Sequence, residues 1–163
     1  MKKWMSICLS VCLMAGMLTA CGGDAGKRDE TVPVDMVYEL GETGVKITLP
    51  TEVGFEQRES ELNDFFGIGA SGEWSIIVNS DEKGGYTLDE YANLTAEVND
   101  AYKAIKDPDG SYYFTYSSDG YWFYTAVREG AEKYYRIAFY CFGDVRTQYA
   151  EQFEQWAKTI EVA

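Results

Sequence analysis

The residue with the clearest potential for chemistry is Cys21, which directly follows Leu18-Thr19-Ala20 at the end of an uncharged, apolar stretch. The chain begins with Met1-Lys2-Lys3, so two positive charges precede this stretch. A positive start, an apolar middle and a small-residue end are the three parts of a secretory signal. We therefore predict that residues 1–20 are a signal peptide and that Cys21 becomes the first residue of the exported chain.

The segment Leu18-Thr19-Ala20-Cys21 resembles the lipobox of bacterial lipoprotein signals. In those signals diacylglycerol is joined to the cysteine thiol, and a dedicated peptidase then cuts before the cysteine. The resemblance implies lipid attachment at Cys21 and cleavage after Ala20. Two other interpretations stay open, an ordinary secretory peptide with a chance cysteine and a single membrane-spanning helix. Residues 4–20 are about 17 in number, which is short of the roughly 20 that a transmembrane helix needs.

The charge of the exported chain bears on its attachment and its partners. Residues 21–163 carry 12 basic and 27 acidic side chains, a net charge of −15. An anionic lipid surface repels such a domain, whereas two acyl chains hold a protein stably at a membrane. The membrane is therefore an expected partner only through the diacylglyceryl group on Cys21. The same charge argues against a nucleic-acid partner, because nucleic acids are bound by basic surfaces.

The residue types also restrict catalysis. The chain has no histidine, so it lacks the commonest general base at neutral pH and the favoured nitrogen ligand of zinc. Three of the four cysteines lie at or before position 21, which leaves Cys141 in an apolar run where we expect it to be buried. Asp107-Pro108-Asp109-Gly110 is typical of a turn and only faintly like a calcium loop. We therefore predict no catalytic residue, no metal site and no cofactor.

Composition divides the exported chain into a tether and a domain. Residues 21–35 are rich in Gly, Asp, Glu and Lys, a composition that does not fold. About 15 flexible residues have an end-to-end distance near 20 Å, so the domain would work close to the membrane. Residues 36–163 have the length of a single domain.

Alternating apolar residues predict strands over much of this domain. The predicted strands are 45–50, a short one near Phe55, 65–70, 74–78, 111–116, 121–128 and 134–142. The turn sequences at 117–120 and 129–132 join the last three strands as hairpins. The result is a mostly antiparallel sheet.

Two helices are predicted. Thr87-Leu88-Asp89-Glu90 is a capping box, and a helix of about five turns follows it until Asp107-Pro108 ends it. The apolar stripe of this helix is Leu88, Tyr91, Leu94 or Thr95, Val98, Ala101 or Tyr102, and Ile105. The last helix is expected to begin near Asp144 as its N-cap and to end the chain. Its apolar residues are Tyr149, Phe153, Trp156 and Ile160.

The aromatic strands are apolar on both faces. If the hairpin loops are even in length, the register follows, and one face carries Tyr113, Thr115, Trp122, Tyr124, Ala126, Tyr135, Ile137, Phe139 and Cys141. The opposite face carries Tyr112, Phe114, Tyr116, Tyr121, Phe123, Val127, Tyr134, Arg136, Ala138 and Tyr140. We therefore predict an α+β fold with helices on both faces of the sheet, an α/β/α sandwich. The rival arrangement leaves the second face partly open as a ligand platform, for which the candidates are Tyr112, Tyr116, Tyr121 and Tyr134.

Several segments resemble those of the PsbP/Mog1-like proteins, including bacterial lipoproteins related to DcrB. Val45-Lys46-Ile47-Thr48-Leu49-Pro50 is similar to their opening strand, and Tyr86-Thr87-Leu88-Asp89-Glu90-Tyr91 to the start of their central helix. Gly120-Tyr121-Trp122-Phe123-Tyr124 and Phe153-Glu154-Gln155-Trp156-Ala157-Lys158-Thr159-Ile160 are similar to their last hairpin and helix. The resemblance implies an α/β/α sandwich and a binding or accessory role rather than catalysis.

Together these features predict a lipid-anchored protein outside the cytoplasm, at the outer face of the cytoplasmic membrane. We expect a non-catalytic binding or accessory role, with an envelope protein or a glycan as the ligand. The alternative is an enzyme that cleaves cell-wall glycan with two carboxylates, which would face each other across a cleft at about 5–10 Å.

Replacement of the lipidated cysteine tests the predicted anchor. The Cys21→Ala chain should lack the diacylglyceryl group and keep residues 1–20, because the peptidase of the lipoprotein signal cuts after the lipid has been attached. Intact mass of the purified wild-type protein should show cleavage after Ala20 and a diacylglyceryl group on Cys21. A Cys12→Ala chain is the matched control, and an unmodified Cys21 in the wild-type chain or the same processing of all three chains would contradict the prediction.

Overall fold

Residues 34–163, the part of the chain that the computed structural model describes, fold mainly into strands, with two helices between them. The strands are β1 (Asp35–Glu39), β2 (Val45–Pro50), β3 (Phe55–Arg58), β4 (Phe65–Gly69), β5 (Trp74–Glu82), β6 (Ile105–Lys106), β7 (Tyr112–Ser118), β8 (Tyr121–Glu129), β9 (Lys133–Phe142) and β10 (Glu161–Val162). The helices are α1 (Leu88–Val98) and α2 (Arg146–Ala157). The predicted signal peptide, the lipid site and most of the tether lie outside the described residues.

The strands form two antiparallel sheets. The larger sheet has the order β3-β4-β5-β9-β8-β7-β6, and the smaller one has the order β1-β2-β10. Two residues, Asp119 and Gly120, connect β7 to β8 with φ angles of 52° and 83°. Positive φ at both central positions is the type I′ turn that suits the twist of a two-residue hairpin. Asp and Gly adopt this conformation more readily than other residues.

The register of the larger sheet confirms the predicted assignment of residues to its faces. Tyr124 pairs with Phe139 on one face. Phe123 pairs with Tyr140 on the other. We call the first the α2 face and the second the α1 face, because α2 packs on the first and α1 on the second.

The α2 face is closed by a core of aromatic rings. Phe153 of α2 is fully buried, and its ring stacks on Trp122 at 5.9 Å and on Phe139 at 5.4 Å between centroids. The smaller sheet completes this core with the buried residues Val45, Ile47 and Leu49. Arg128 lies at the end of α2, where its guanidinium donates to the Ala157 carbonyl at 2.7 Å. This contact satisfies a carbonyl that the helix leaves without an internal donor.

The α1 helix starts as predicted but ends earlier. Thr87 and Glu90 form the capping box. The five-turn prediction is wrong, because α1 ends at Val98 after about three turns and Ile105 lies in β6. Asp100 takes a φ of 56°, and Ala101 and Asp100 donate backbone N–H groups to the carbonyls of residues 96 and 97. This is a Schellman motif, which stops a helix whatever apolar pattern continues beyond it.

The end of the chain also differs from the prediction. A single 3-10 turn, Gly143–Val145, precedes α2, and no side chain caps the helix, so Asp144 is not its N-cap. The helix does not end the chain, because Glu161–Val162 pairs with β2 as β10. Strands as short as β6 and β10 are defined by the strand they pair with, and a two-residue segment carries no period of its own.

The observed architecture is an antiparallel α+β fold with its two helices on opposite faces of the larger sheet. The sandwich differs from the predicted one in two respects. The smaller sheet shares the α2 face with α2, and α1 covers only one part of its own face. The uncovered part of the α1 face is the feature that bears on function.

Truncation of the central ring tests the core of the α2 face. Phe153→Ala should lower the free energy of unfolding by about 3–5 kcal/mol, because it leaves a cavity among the stacked rings. Urea unfolding followed by tryptophan fluorescence measures the change. Tyr102→Ala is the control, since Tyr102 is 96% exposed, and equal effects of the two substitutions would contradict the assignment.

Candidate binding surface

The structure separates the four tyrosines that the sequence groups as a ligand platform. Tyr112 and Tyr134 lie beneath α1 and are only 5% and 2% exposed. The Tyr112 hydroxyl donates to the Asp89 carboxylate at 2.8 Å, and the Tyr134 hydroxyl donates to the Tyr86 carbonyl at 2.7 Å. These two tyrosines therefore belong to the core under α1 and not to an open platform. The Tyr134 ring stacks on Tyr91 of α1, and Tyr112 lies in the same core. Local sequence does not reveal these contacts with the helix.

The other two tyrosines lie on the uncovered part of the α1 face. Tyr116 and Tyr121 are half-buried, and they are joined there by Phe123, Tyr140 and Phe142, which we call together the aromatic surface. Tyr116, Phe123 and Tyr140 are cross-strand partners in one row. Tyr121 and Phe142 are partners in the next row, and Phe142 is 50% exposed.

The rings of the aromatic surface stack on one another. The centroids of Tyr116 and Phe123 are 4.5 Å apart at an interplanar angle of 4°, and those of Phe123 and Tyr140 are 5.1 Å apart at 25°. Rings that stack across neighbouring strands stand upright on the sheet. In the next row Tyr121 stacks on Phe142 with the centroids 4.8 Å apart, and its ring stands at 81° to that of Tyr140. The ring faces are thus largely engaged with each other, and ring edges form much of the outer surface.

A groove of about 470 Å³ runs beside the aromatic surface. The groove is lined by Glu59, Ser60, Asn63, Phe66, Ile77, Tyr121, Phe123 and Tyr140. Its polar wall is held in place because Ser60 Oγ accepts from the backbone N–H of Asn63, and Asn79 Nδ2 donates to Asn63 Oδ1 at 3.1 Å. An apolar floor with one polar wall suits a ligand that is itself apolar on one side.

A second groove, of about 310 Å³, lies on the same face between α1 and β5. Leu94 and Val98 line it from α1, although they are 43% and 74% exposed. Asp81 accepts from Arg136 at 3.1 Å and from the Tyr91 hydroxyl at 2.5 Å. Burial raises the pKa of Tyr91 well above its ordinary value, and the hydrogen bond to Asp81 acts in the same direction. The phenol therefore stays a protonated donor, and it holds the carboxylate in place.

The other groups that could react, Cys141 and the aspartates of the turn at residues 107–110, are parts of the core and of a turn. Cys141 is buried, and burial raises the pKa of its thiol. Residues 107–110 form the predicted turn, in which Gly110 donates to the Asp107 carbonyl at 3.0 Å. Burial raises the pKa of Asp107, whereas hydrogen bonds from Ser111 lower that of Asp109. Within residues 34–163, no three His, Cys, Asp or Glu side chains are grouped so as to hold a metal ion.

The described residues also bear on the membrane. None of their helices has the length and apolar character to cross a bilayer. Cys21 and Ala20, the predicted positions of lipid attachment and cleavage, lie outside the described residues.

Known proteins resemble this chain in fold. No family model and no curated protein matches its sequence. The solution structure of cyanobacterial PsbP (CyanoP) from Synechocystis has a TM-score of 0.57 at 16% identity, with 85% of this chain and 98% of that chain covered. The crystal structure of the Saccharomyces cerevisiae Ran-binding protein Mog1p has a TM-score of 0.52 at 10% identity, with 80% and 96% covered. The chain has a PsbP/Mog1-like fold. At these identities the likeness concerns the fold alone.

Thiol labelling tests the surroundings of Cys141. In a chain of residues 22–163 this thiol should react with a disulfide reagent at least about tenfold faster in urea than in buffer, because the buried thiol resists ionisation. The control carries Cys141→Ser and Phe142→Cys, which moves the thiol by one residue to an exposed position. Fast labelling of Cys141 in buffer, at the rate of the control, would contradict the assignment.

Proposed function

We propose that this chain is a lipid-anchored protein of the bacterial cell envelope with a non-catalytic binding or accessory role. Diacylglycerol on Cys21, after cleavage behind Ala20, holds the domain at the outer face of the cytoplasmic membrane. The net charge of −15 supports this arrangement, because it leaves the lipid as the only attachment and turns the domain away from anionic headgroups.

The aromatic surface is the observation that carries the binding role. Its five rings lie together on the part of the α1 face that extends beyond the core under α1, where Phe142 is exposed and the other four rings are half-buried. Monomeric proteins rarely leave large contiguous apolar surfaces open to water. Tyr and Phe are enriched at the centre of protein interfaces, since they combine apolar area with few rotatable bonds. The aromatic surface therefore fits a partner that covers it.

The orientation of the rings favours a protein over a glycan as that partner. A sugar ring binds an aromatic residue through the flat ring face. In the row of Tyr116, Phe123 and Tyr140, the rings stack on each other at 4.5 and 5.1 Å, so the face of the middle ring is occupied on both sides. Ring edges and the adjoining groove suit apolar side chains that insert between them.

Capture of the partner from native membranes tests this function. The lipidated wild-type protein, crosslinked in membranes, should enrich a defined protein, and Tyr121→Ser with Phe142→Ser should reduce that enrichment by about tenfold or more. Tyr102→Ser is the matched control, because it removes an exposed aromatic ring outside the aromatic surface. All variants are first compared with the wild-type protein by urea unfolding.

Three results would contradict the proposal. The first is equal capture by the wild-type protein and the double variant. The second is enrichment of wall glycan fragments that depends on the same two residues, which would replace the protein ligand by a sugar. The third is release of soluble fragments from purified cell wall, which would favour the alternative function, an enzyme that cleaves cell-wall glycan with two carboxylates.

A further inference from the structure

The part of the α1 face that α1 leaves uncovered is wide and long enough for one more helix to pack on it. The α1 helix packs on β7 and β8, and β5 lies two strands away from β8 in the sheet. Strands are about 4.8 Å apart, so β5 lies about 10 Å from β8, the nearer of these two strands. Neighbouring helices pack at a similar spacing, about 8–10 Å. Residues 75–81 of β5 extend over about 20 Å, the length of a helix of about 13 residues.

Both sides of this strip are apolar. On one side Leu94 and Val98 project from α1, one helical turn apart, and line the smaller groove. On the other side Phe66 of β4 lines the larger groove, and Ile77 of β5 lies in the floor of the strip. The other residues of β5 on this face, Ser75, Asn79 and Asp81, are polar. A helix in the strip would thus find apolar contacts at Ile77 and along both flanks, and polar contacts along the rest of its inner side.

The edge of the strip is acidic. Glu97 is exposed beside Val98, and Glu59 and Glu61 are exposed at the loop that walls the larger groove. None of the three has an ion-pair partner among residues 34–163. The basic residues near the strip are already engaged, Arg136 with Asp81 at 3.1 Å and Lys133 with Glu82 at 3.8 Å. Excess negative charge around an apolar seat favours an occupant with basic residues on its outer side.

We propose that a basic amphipathic helix of a partner protein lies in this strip, between Leu94 and Val98 of α1 on one side and Phe66 of β4 on the other. The inference rests on the proposed binding function and names the chemistry of the partner. A second copy of the same chain is a poor occupant, because two domains of net charge −15 repel each other. An anionic lipid surface is repelled for the same reason.

Three synthetic peptides of about 14 residues serve as probes. One places Leu and Lys so that a helix has one apolar and one basic side; the second has the same composition in an order without an apolar side; the third replaces Lys by Glu. Binding is measured by fluorescence anisotropy to the lipidated protein in phosphatidylcholine nanodiscs, with empty nanodiscs as the blank. The first peptide should bind at least about tenfold more tightly than the second and third.

Variants of the strip locate the binding. Leu94→Ser with Val98→Ser should weaken binding of the first peptide by about tenfold or more, whereas Tyr102→Ser should leave it unchanged. All three side chains are exposed, so these variants should keep the fold, which urea unfolding checks.

Equal binding of the first two peptides, or an unaltered affinity of the Leu94 and Val98 variant, would overturn the helix seat. Displacement of the peptide by chitin oligomers would identify a sugar as the ligand of this face and overturn the inference as well. Dimerisation of the protein through this face, seen by sedimentation, would identify a second copy of the chain as the ligand and would also overturn it. If native capture depends on Tyr121 and Phe142 but the first peptide does not compete, this inference fails and the proposed function stands. If neither capture nor peptide binding is seen, both fail.

Discussion

The pairing register of β8 with β9 is the constraint on which both surfaces of the sheet depend. It places Tyr124 and Phe139 on the α2 face and Phe123 and Tyr140 on the α1 face. A slip of one residue would exchange these sets, because side chains alternate with a period of two. Since both sets are apolar, the register does not simply divide inside from outside. It creates two apolar faces, each of which must be shielded from water by another element or by a partner.

The two faces are covered unequally. On the α2 face, α2 and the smaller sheet enclose a core centred on Phe153, and the chain closes this core by returning as β10 against β2. On the α1 face, three turns of helix cover Tyr112, Val127 and Tyr134. The next rows of the sheet are left with the aromatic surface and two grooves. A binding role follows from this imbalance more directly than from any single residue.

The local residue pattern predicted most of the strands and the start of α1, and each wrong prediction has a physical cause. Alternation predicted β2, β4, β5 and the last three long strands, and it assigned the residues of those last three strands to the correct faces. Three short strands, β1, β6 and β10, lie at sheet edges and exist through pairing with distant residues. The apolar stripe of α1 predicted two turns too many, because a Schellman motif at Asp100 overrides the stripe.

The sequence by itself determined the chemistry at Cys21 that we expect, the acidic charge, the absence of histidine and the apolar character of both sheet faces, because each is a property of residue types and their spacing. The tertiary structure alone decided which tyrosines meet water. Tyr112 and Tyr116 share a strand and a face, yet Tyr112 is buried in the core under α1, whereas Tyr116 packs at the edge of that core and is half-buried. That difference depends on where a helix packs, and packing joins residues that are far apart in the chain.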